Sequence, residues 1–283
     1  LKNERRFIDG RYQMPILWKP GEPKFPPSRS HALKRMESNE RSRLAKPNVW
    51  EAYNAIIDEY LELGYVRELF EGDDKEGFYI PHFPVVREEK STTKTRIVFD
   101  GRTRACGKAL NDAVLPGPNL INDLPSVLLR FRKFAFCLAG DIKQMFLQVA
   151  MSPEDSRYHR FVHRFSKESP VREFCWLRHP FGNAGSPAVA ISTIRLHAEE
   201  HASEYPLAAE TVLNSSLVDD CLSSYGTREE AIQAHHELTE LLGAAGMVIR
   251  RFFSNDHKVL EKIPQENREP KVAFVTIGNQ STN

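Results

Sequence analysis

Ser215-Ser-Leu-Val-Asp-Asp-Cys-Leu222 is the stretch whose reading decides the fold. An apolar pair, Leu217-Val218, runs directly into two carboxylates, Asp219 and Asp220. Neighbouring side chains of a straight strand point to opposite faces. Adjacent aspartates therefore converge on one point only where the chain turns, and the stretch reads as a strand–turn–strand hairpin with acids at its tip. A tip of this kind is a poor core element and a good holder of hard divalent cations, which prefer carboxylate oxygens. An isolated Asp-Asp is more often a turn or a helix cap. Its weight here comes from a second acid upstream, in Ala139-Gly-Asp-Ile-Lys-Gln-Met-Phe-Leu-Gln-Val149. Asp141 ends an apolar run that reads as a strand. If the two strands lie side by side, three carboxylates surround one pocket. Two metal ions there can clamp the attacking and leaving oxygens of an in-line phosphoryl displacement, a reaction in which positioning and charge neutralisation do most of the work.

The composition admits such an enzyme. The 283 residues suffice for one large domain or two ordinary ones. Hydrophobic content of 41% and charged content of 27% are those of a soluble globular chain. No apolar run approaches the ~20 residues of a membrane span, and Leu1-Lys-Asn-Glu-Arg-Arg6 lacks the apolar core of a signal peptide. The opening on Leu1 rather than Met is expected of a piece cut from a longer reading frame. Cys106, Cys137, Cys175 and Cys221 are widely spaced, which argues against structural zinc and for reduced thiols. The net charge is only +1, but it is unevenly spread. Residues 1–50 carry +7, residues 51–86 carry −7 and residues 87–108 carry +4. Basic strips beside a carboxylate site suit an enzyme that handles polyanions, although each run taken alone can be ordinary solvated charge.

The element pattern is mixed. Residues 1–47 are basic and rich in proline and read as an extended arm with one helix over 32–44. Asn48 and Glu51 resemble a capping box for a helix carrying Trp50, Tyr53, Ile57, Tyr60 and Leu61, stopped by Gly64. Residues 78–86 and 95–99 form a predicted β-hairpin with a basic tip holding Lys90 and Lys94. A helix over 124–132 should turn Leu124, Val127, Leu128 and Phe131 inward. Residues 161–165 and 173–177 form another strand pair, and Ser186-Pro187 opens a helix. Thr227 and Glu230 form a capping box for a helix that buries Ala231, Ala234, His235, Leu238 and Leu242, and residues 247–253 form a strand. His159 and His163 are four apart and read as a surface face rather than a ligand pair. The sum is an α+β chain with helices packed on a sheet.

Several segments together resemble a reverse transcriptase, most closely that of the Pao/BEL class of long-terminal-repeat retrotransposons. They are Tyr79-Ile-Pro-His-Phe-Pro-Val-Val-Arg-Glu-Glu-Lys-Ser-Thr-Thr-Lys-Thr-Arg-Ile-Val-Phe-Asp100, Leu110-Asn-Asp112, Leu115-Pro-Gly-Pro-Asn119 and Asp141-Ile-Lys-Gln-Met-Phe-Leu-Gln-Val149. Pro180-Phe-Gly-Asn-Ala-Gly-Ser-Pro187, Tyr205-Pro-Leu-Ala-Ala-Glu210 and Leu217-Val-Asp-Asp220 complete the series. Their order and spacing agree over roughly residues 10–260.

The resemblance implies a right-hand polymerase with fingers and an antiparallel palm sheet backed by helices. Fingers would take residues 48–109 and 149–180, and palm 110–148 and 181–262. Residues 1–47 would be the arm, and 263–283 the start of a thumb or a tail. Asp141, Asp219 and Asp220 would be catalytic and would hold two Mg²⁺ ions, with Mn²⁺ as a substitute, and the Ile142 carbonyl would be a further ligand. Phe146 would be the ring that excludes a 2′-hydroxyl. Arg96 and Lys90 would contact the incoming triphosphate, and Phe181 and Gly182 would lie against nucleotide and template. Lys94 and Leu217 would touch nucleic acid. Leu217 stands where the family has tyrosine, and Asn183-Ala-Gly-Ser186 departs from the commoner Leu-x-x-Ala form. The implied partners are an RNA template, a DNA primer and deoxynucleoside triphosphates, without a membrane, in a cytoplasmic retroelement particle. Most of the thumb and the polyprotein's protease, RNase H and integrase regions are expected to lie outside these residues. Two other readings remain: a silent or domesticated remnant that binds nucleic acid, and a different two-metal phosphotransferase or nuclease.

Overall fold

A computed structural model describes residues 4–21, 23–73, 76–86 and 95–270. The chain divides into two compact units: Leu1–Asn119 with Phe146–Thr193, and Leu120–Met145 with Ile194–Asn283. The first unit opens with strands β1 (Arg6–Ile8) and β2 (Arg11–Met14), helices α1 (Arg29–Arg41) and α2 (Pro47–Glu62), and strands β3 (Val66–Glu68), β4 (His82–Val86) and β5 (Thr95–Phe99). Helix α3 (Leu124–Phe131) and strand β6 (Phe136–Ile142) follow in the second unit. The chain returns to the first with β7 (Ala150–Met151), α4 (Pro153–Ser156), β8 (Arg160–His163) and β9 (Arg172–Trp176). Helix α5 (Ser186–Glu200) leads back to the second unit and to α6 (Pro206–Asn214), β10 (Ser216–Leu217), β11 (Asp220–Tyr225), α7 (Arg228–Ala244), β12 (Ile249–Ser254) and α8 (His257–Glu261).

In the first unit the basic N-terminal residues are folded rather than extended. Asp9 and Gly10 both have positive φ, 51° and 73°, the geometry of a tight hairpin turn that joins β1 to β2. Strand β2 pairs in parallel with β7. Asp155 then fastens the following segment, accepting from the Ile16 N–H at 3.1 Å and from Trp18 Nε1 at 2.6 Å. Strands β3, β9 and β8 form an antiparallel sheet in that order, and β4 pairs antiparallel with β5 in a hairpin whose tip, with Lys90 and Lys94, lies outside the described residues. The core gathers Tyr53 and Ile57 of α2 with Phe78, Ile80, Phe99, Phe161, Phe174 and Trp176.

In the second unit the four strands pair antiparallel in the order β10-β11-β6-β12. Strand β6, Phe-Cys-Leu-Ala-Gly-Asp-Ile, is central; Leu138, Gly140 and Ile142 of one face are buried, while Ala139 and Asp141 of the other are half-buried. Helix α7 buries Ala231, Ala234, His235, Leu238 and Leu242, and Thr227 and Glu230 cap its start reciprocally.

Other expectations change. Helix α2 starts at Pro47, whose fixed φ suits the first helical position, and Lys46 gives no side-chain cap, so Asn48 and Glu51 do not form a capping box. Helix α3 buries Val127 but leaves Leu124 51% and Leu128 45% exposed, because a helix this short offers the sheet a single narrow stripe. His159 and His163 are interior, not surface. His159 Nδ1 donates to the Asp155 carbonyl and its Nε2 accepts from Asn183 Nδ2, while His163 Nε2 donates to Asn54 Oδ1. Among the described residues no helix is long and apolar enough to cross a membrane.

Burial holds these imidazoles neutral. Desolvation pulls His82, His159 and His179 down from 6.5 to about 4, and His163 to about 3. His82 donates Nε2–H to the Val162 carbonyl at 2.9 Å, and its Nδ1 meets the Tyr53 hydroxyl. As pH falls below 6.5 the unfolded chain takes up these protons and the folded chain does not. Stability is therefore complete above about pH 6.5 and is lost on the way down to about 4. Each histidine adds a slope of up to about 1.4 kcal/mol per pH unit. Denaturant midpoints should drop clearly between pH 7 and pH 5, where most carboxylates are still ionised; equal midpoints would show that the imidazoles are charged in the fold.

Candidate active site

The hairpin expected at Asp219-Asp220 is present. Leu217 pairs with Asp220 across β10 and β11, and Val218 and Asp219 form the turn between them. Val218 has φ 56°, a left-handed conformation that is costly for a β-branched residue. The tip is fastened to β6 by a backbone hydrogen bond in which Ile142 N–H donates to the Asp219 carbonyl at 2.8 Å. One step along, Asp220 is the direct cross-strand partner of Asp141. Directly opposed residues share a face of the sheet with Cβ atoms about 5 Å apart. Two acids in that relation repel, and Asp220 registers it: its carboxyl is pushed above the ordinary carboxylate value by desolvation first, then by Asp219 and Asp141. Leu217 is half-buried, and Ile142 is fully buried.

The other flank of β6 contributes a residue that sequence reasoning missed. Arg250 of β12 is the cross-strand partner of Asp141, and its Nε lies 3.7 Å from Asp141 Oδ2. Asp220, Asp141 and Arg250 thus form one row across β11, β6 and β12. The signal was faint: Ile249-Arg-Arg-Phe-Phe253 places two arginines in an apolar strand, and nothing in the spacing says which one turns toward the acids. A β-bulge directly after Arg250, with Arg251 at φ 54°, makes that choice.

Other candidate residues belong to the first unit. Phe146, the first residue of that unit's second segment, is buried, and its ring packs on Phe181 with centroids 4.5 Å apart and planes at 59°. Phe181 itself is 51% exposed. Gly182 has φ 102°, and a Cβ there would collide with the Phe99 carbonyl oxygen. Asn111, the second missed residue, clamps this turn. Its Nδ2 donates to the Gly182 carbonyl at 3.0 Å, and its Oδ1 accepts from the Ala184 N–H at 2.9 Å. Arg96 lies exposed on β5 between buried Thr95 and Ile97. Lys90 and Lys94 lie outside the described residues.

Asp141, Asp219 and Asp220 carry the carboxylate oxygens that hard cations prefer; Asp220 is pushed up by desolvation first and by its two acidic neighbours second. In that chemistry they fit Mg²⁺ or Mn²⁺. Among the described residues, however, no three His, Cys, Asp or Glu side chains are drawn together as a finished metal-ligand set. Asp141 is turned to Arg250 instead.

No known family profile matches the chain, and no curated protein matches it. Solved structures do. The protease–reverse transcriptase of prototype foamy virus superposes with a TM-score of 0.53 at 19% identity, over 72% of this chain and 24% of that one. The fold is reverse-transcriptase-like. A foamy viral protease–reverse transcriptase in complex with an RNA/DNA hybrid gives a TM-score of 0.53 at 18% identity, again over 72% of this chain and 24% of that one. The likeness is one of fold, and the chain spans about a quarter of those structures, 24% of each.

Gly182 provides a local test of how this fold presents its candidate residues. Gly182→Ala meets both a forbidden φ and the Phe99 backbone, so it should lower stability by about 2 kcal/mol or more. An unchanged denaturant midpoint would refute that account of the turn.

Proposed function

We propose that this chain is the polymerase core of a retroelement reverse transcriptase, which adds deoxynucleotides to a DNA primer on an RNA template. The observation that carries the reading is the pairing of Asp220 with Asp141 on adjacent strands, with Asp219 held beside them by the Ile142 N–H. Nothing in folding calls for two opposed acids, which cost stability. A cation-dependent phosphoryl transfer does call for them. The reverse-transcriptase-like fold supports the polymerase part of this reading. The Pao/BEL subtype and a right-hand arrangement of fingers and palm rest on the run of matching sequence segments alone. That one of the similar structures is a complex with an RNA/DNA hybrid supports the template and primer as partners.

On this reading Asp141, Asp219 and Asp220, with the Ile142 carbonyl, would hold two divalent cations. When bound, these neutralise the charge that develops on the transferred phosphoryl group. The chain's own part is placement. The β10–β11 turn presents two carboxylates from one hairpin, and β6 presents the third. Arg96 would grip the triphosphate, since a planar guanidinium matches phosphate oxygens, and Lys90 would assist. Lys94 and Leu217 would contact nucleic acid. Phe181 and Gly182 would face nucleotide and template. Phe146 would fill the volume that a 2′-hydroxyl needs, its ring held by Phe181. RNase H and integrase activities would come from other parts of the same polyprotein, in a cytoplasmic particle.

A second reading, a silent remnant that binds nucleic acid, has the Arg250–Asp141 ion pair on its side. Primer extension on an RNA template, with the chain in its complete reading frame, separates the two. Wild type should extend, and Asp219→Asn should lower extension at least about a hundredfold while leaving duplex binding within a few-fold. No incorporation by wild type would favour the remnant, and normal extension by Asp219→Asn would overturn the site. Phe146→Val should admit ribonucleotides; unchanged sugar discrimination would remove the gate role from this residue.

A further inference from the structure

Arg250 is placed with more care than a solvated arginine needs. It is in register with Asp141, and the bulge that follows it re-aims the strand. The register steps from Arg250↔Asp141 to Phe253↔Ala139, so one extra residue is taken up on β12 at this point. Gly140 accommodates the step, because a Cβ there would press on Ile249 and Phe252 at 3.0 Å. The contact itself is loose. At 3.7 Å it is too long for a hydrogen bond, and the buried Arg250 Nε has no hydrogen-bond partner. The side chains keep 37% and 30% of their exposure, so the pair is weak and screened by water. It is a cation held beside a carboxylate without being locked to it. The same carboxylate is the one member of the aspartate set that lies outside the β10–β11 hairpin, on β6, and the set is not gathered as a cage among the described residues.

We propose that Arg250 is the resident counter-ion of Asp141, a built-in competitor that occupies this carboxylate until a divalent cation displaces it. The inference rests on the reading of Asp141, Asp219 and Asp220 as a cation site. It explains how a carboxylate cluster persists in the unloaded chain: one side chain of the fold supplies part of the missing positive charge and withdraws when the stronger cation arrives. A weak pair is what this role requires, because a bidentate, buried arginine would exclude the metal.

The test is direct metal binding by the 283-residue chain, read by calorimetry with Mg²⁺ and by Mn²⁺ electron paramagnetic resonance. Arg250→Gln and Arg250→Met should bind the cation about two- to fivefold more tightly than wild type, the range expected for removal of an exposed ion pair. Arg250→Lys keeps the charge and should stay near wild type. Asp141→Asn should weaken binding and should abolish the effect of Arg250→Gln in the double variant. Thermal melts of each variant establish folding, and Met preserves most of the aliphatic stem if Gln does not fold. If Asp141→Asn weakens binding while Arg250→Gln and Arg250→Met bind no more tightly than wild type, the counter-ion proposal falls and the cation site stands. If Arg250→Lys tightens binding as much as Gln, shape rather than charge is responsible and the proposal also falls. If wild type, Asp141→Asn and Asp219→Asn are indistinguishable, the cation site itself is wrong.

Discussion

The pairing of β11 with β6 is the constraint on which the second unit depends. Six consecutive register pairs run from Asp220↔Asp141 to Tyr225↔Phe136. The backbone ladder sets the separation of the acids, and the acids themselves oppose it. What offsets the repulsion lies behind them. Leu138, Cys221 and Phe252 are buried, as are Ala231, Ala234, Leu238, Leu241 and Leu242 of α7. Burying such side chains contributes roughly 25 cal/mol for each Å² of apolar surface, whereas one exposed like-charge pair costs at most about 1 kcal/mol. The apolar side of the sheet therefore dictates the register, and the charged row rides on it.

The first unit handles its polar groups in the opposite way. Several of its acids and bases are matched, as in Arg172 with Glu68 and Arg67 with Asp73. Its buried histidines are neutral and bonded to nearby backbone and side-chain atoms. His82 donates to the Val162 carbonyl, and His179 Nε2 donates to the Met14 carbonyl at 3.0 Å. These bonds tie strands and loops that are far apart in sequence, and the cost is sensitivity to acid. The rigid turn at Phe181-Gly182 is part of the same network. Asn183, three residues before α5 begins, accepts at Oδ1 from the Gly185 N–H and donates to His159. Ser186 gives its hydroxyl to the Pro180 carbonyl instead of capping the helix.

Much of this was legible in the residues because it rests on local chemistry. The helix from Arg228 announces itself through Thr227 and Glu230, and the turn at Asp219-Asp220 through adjacent acids that no straight strand can use together. What was not legible depends on residues distant in the chain. His159 and His163, four apart, look like a surface face; β8 and the bonds to Asn183 and Asn54 make them interior. Leu124 and Leu128 look like core, and only the shortness of the contact between α3 and the sheet leaves them exposed. Arg250 could not be told from Arg251 without the bulge, because a one-residue shift in a strand exchanges the two faces.

The same alternation bears on Leu217, the position where the resemblance to reverse transcriptases is weakest. Leu217 and Asp220 are opposed across the hairpin, but the carboxylates are set by two other features: the φ of Val218, which turns the chain, and the Ile142–Asp219 hydrogen bond, which docks the turn on β6. Both are properties of the backbone. Neither asks for an aromatic ring at Leu217, so a leucine there leaves the acid row as it is. A tyrosine in its place would add a hydroxyl and a flat surface to the exposed side of the tip, features that serve a bound molecule rather than the fold. The departure at Leu217 therefore concerns what the hairpin touches, and the placement of Asp141, Asp219 and Asp220 is decided by the backbone: by strand register and by the turn at Val218.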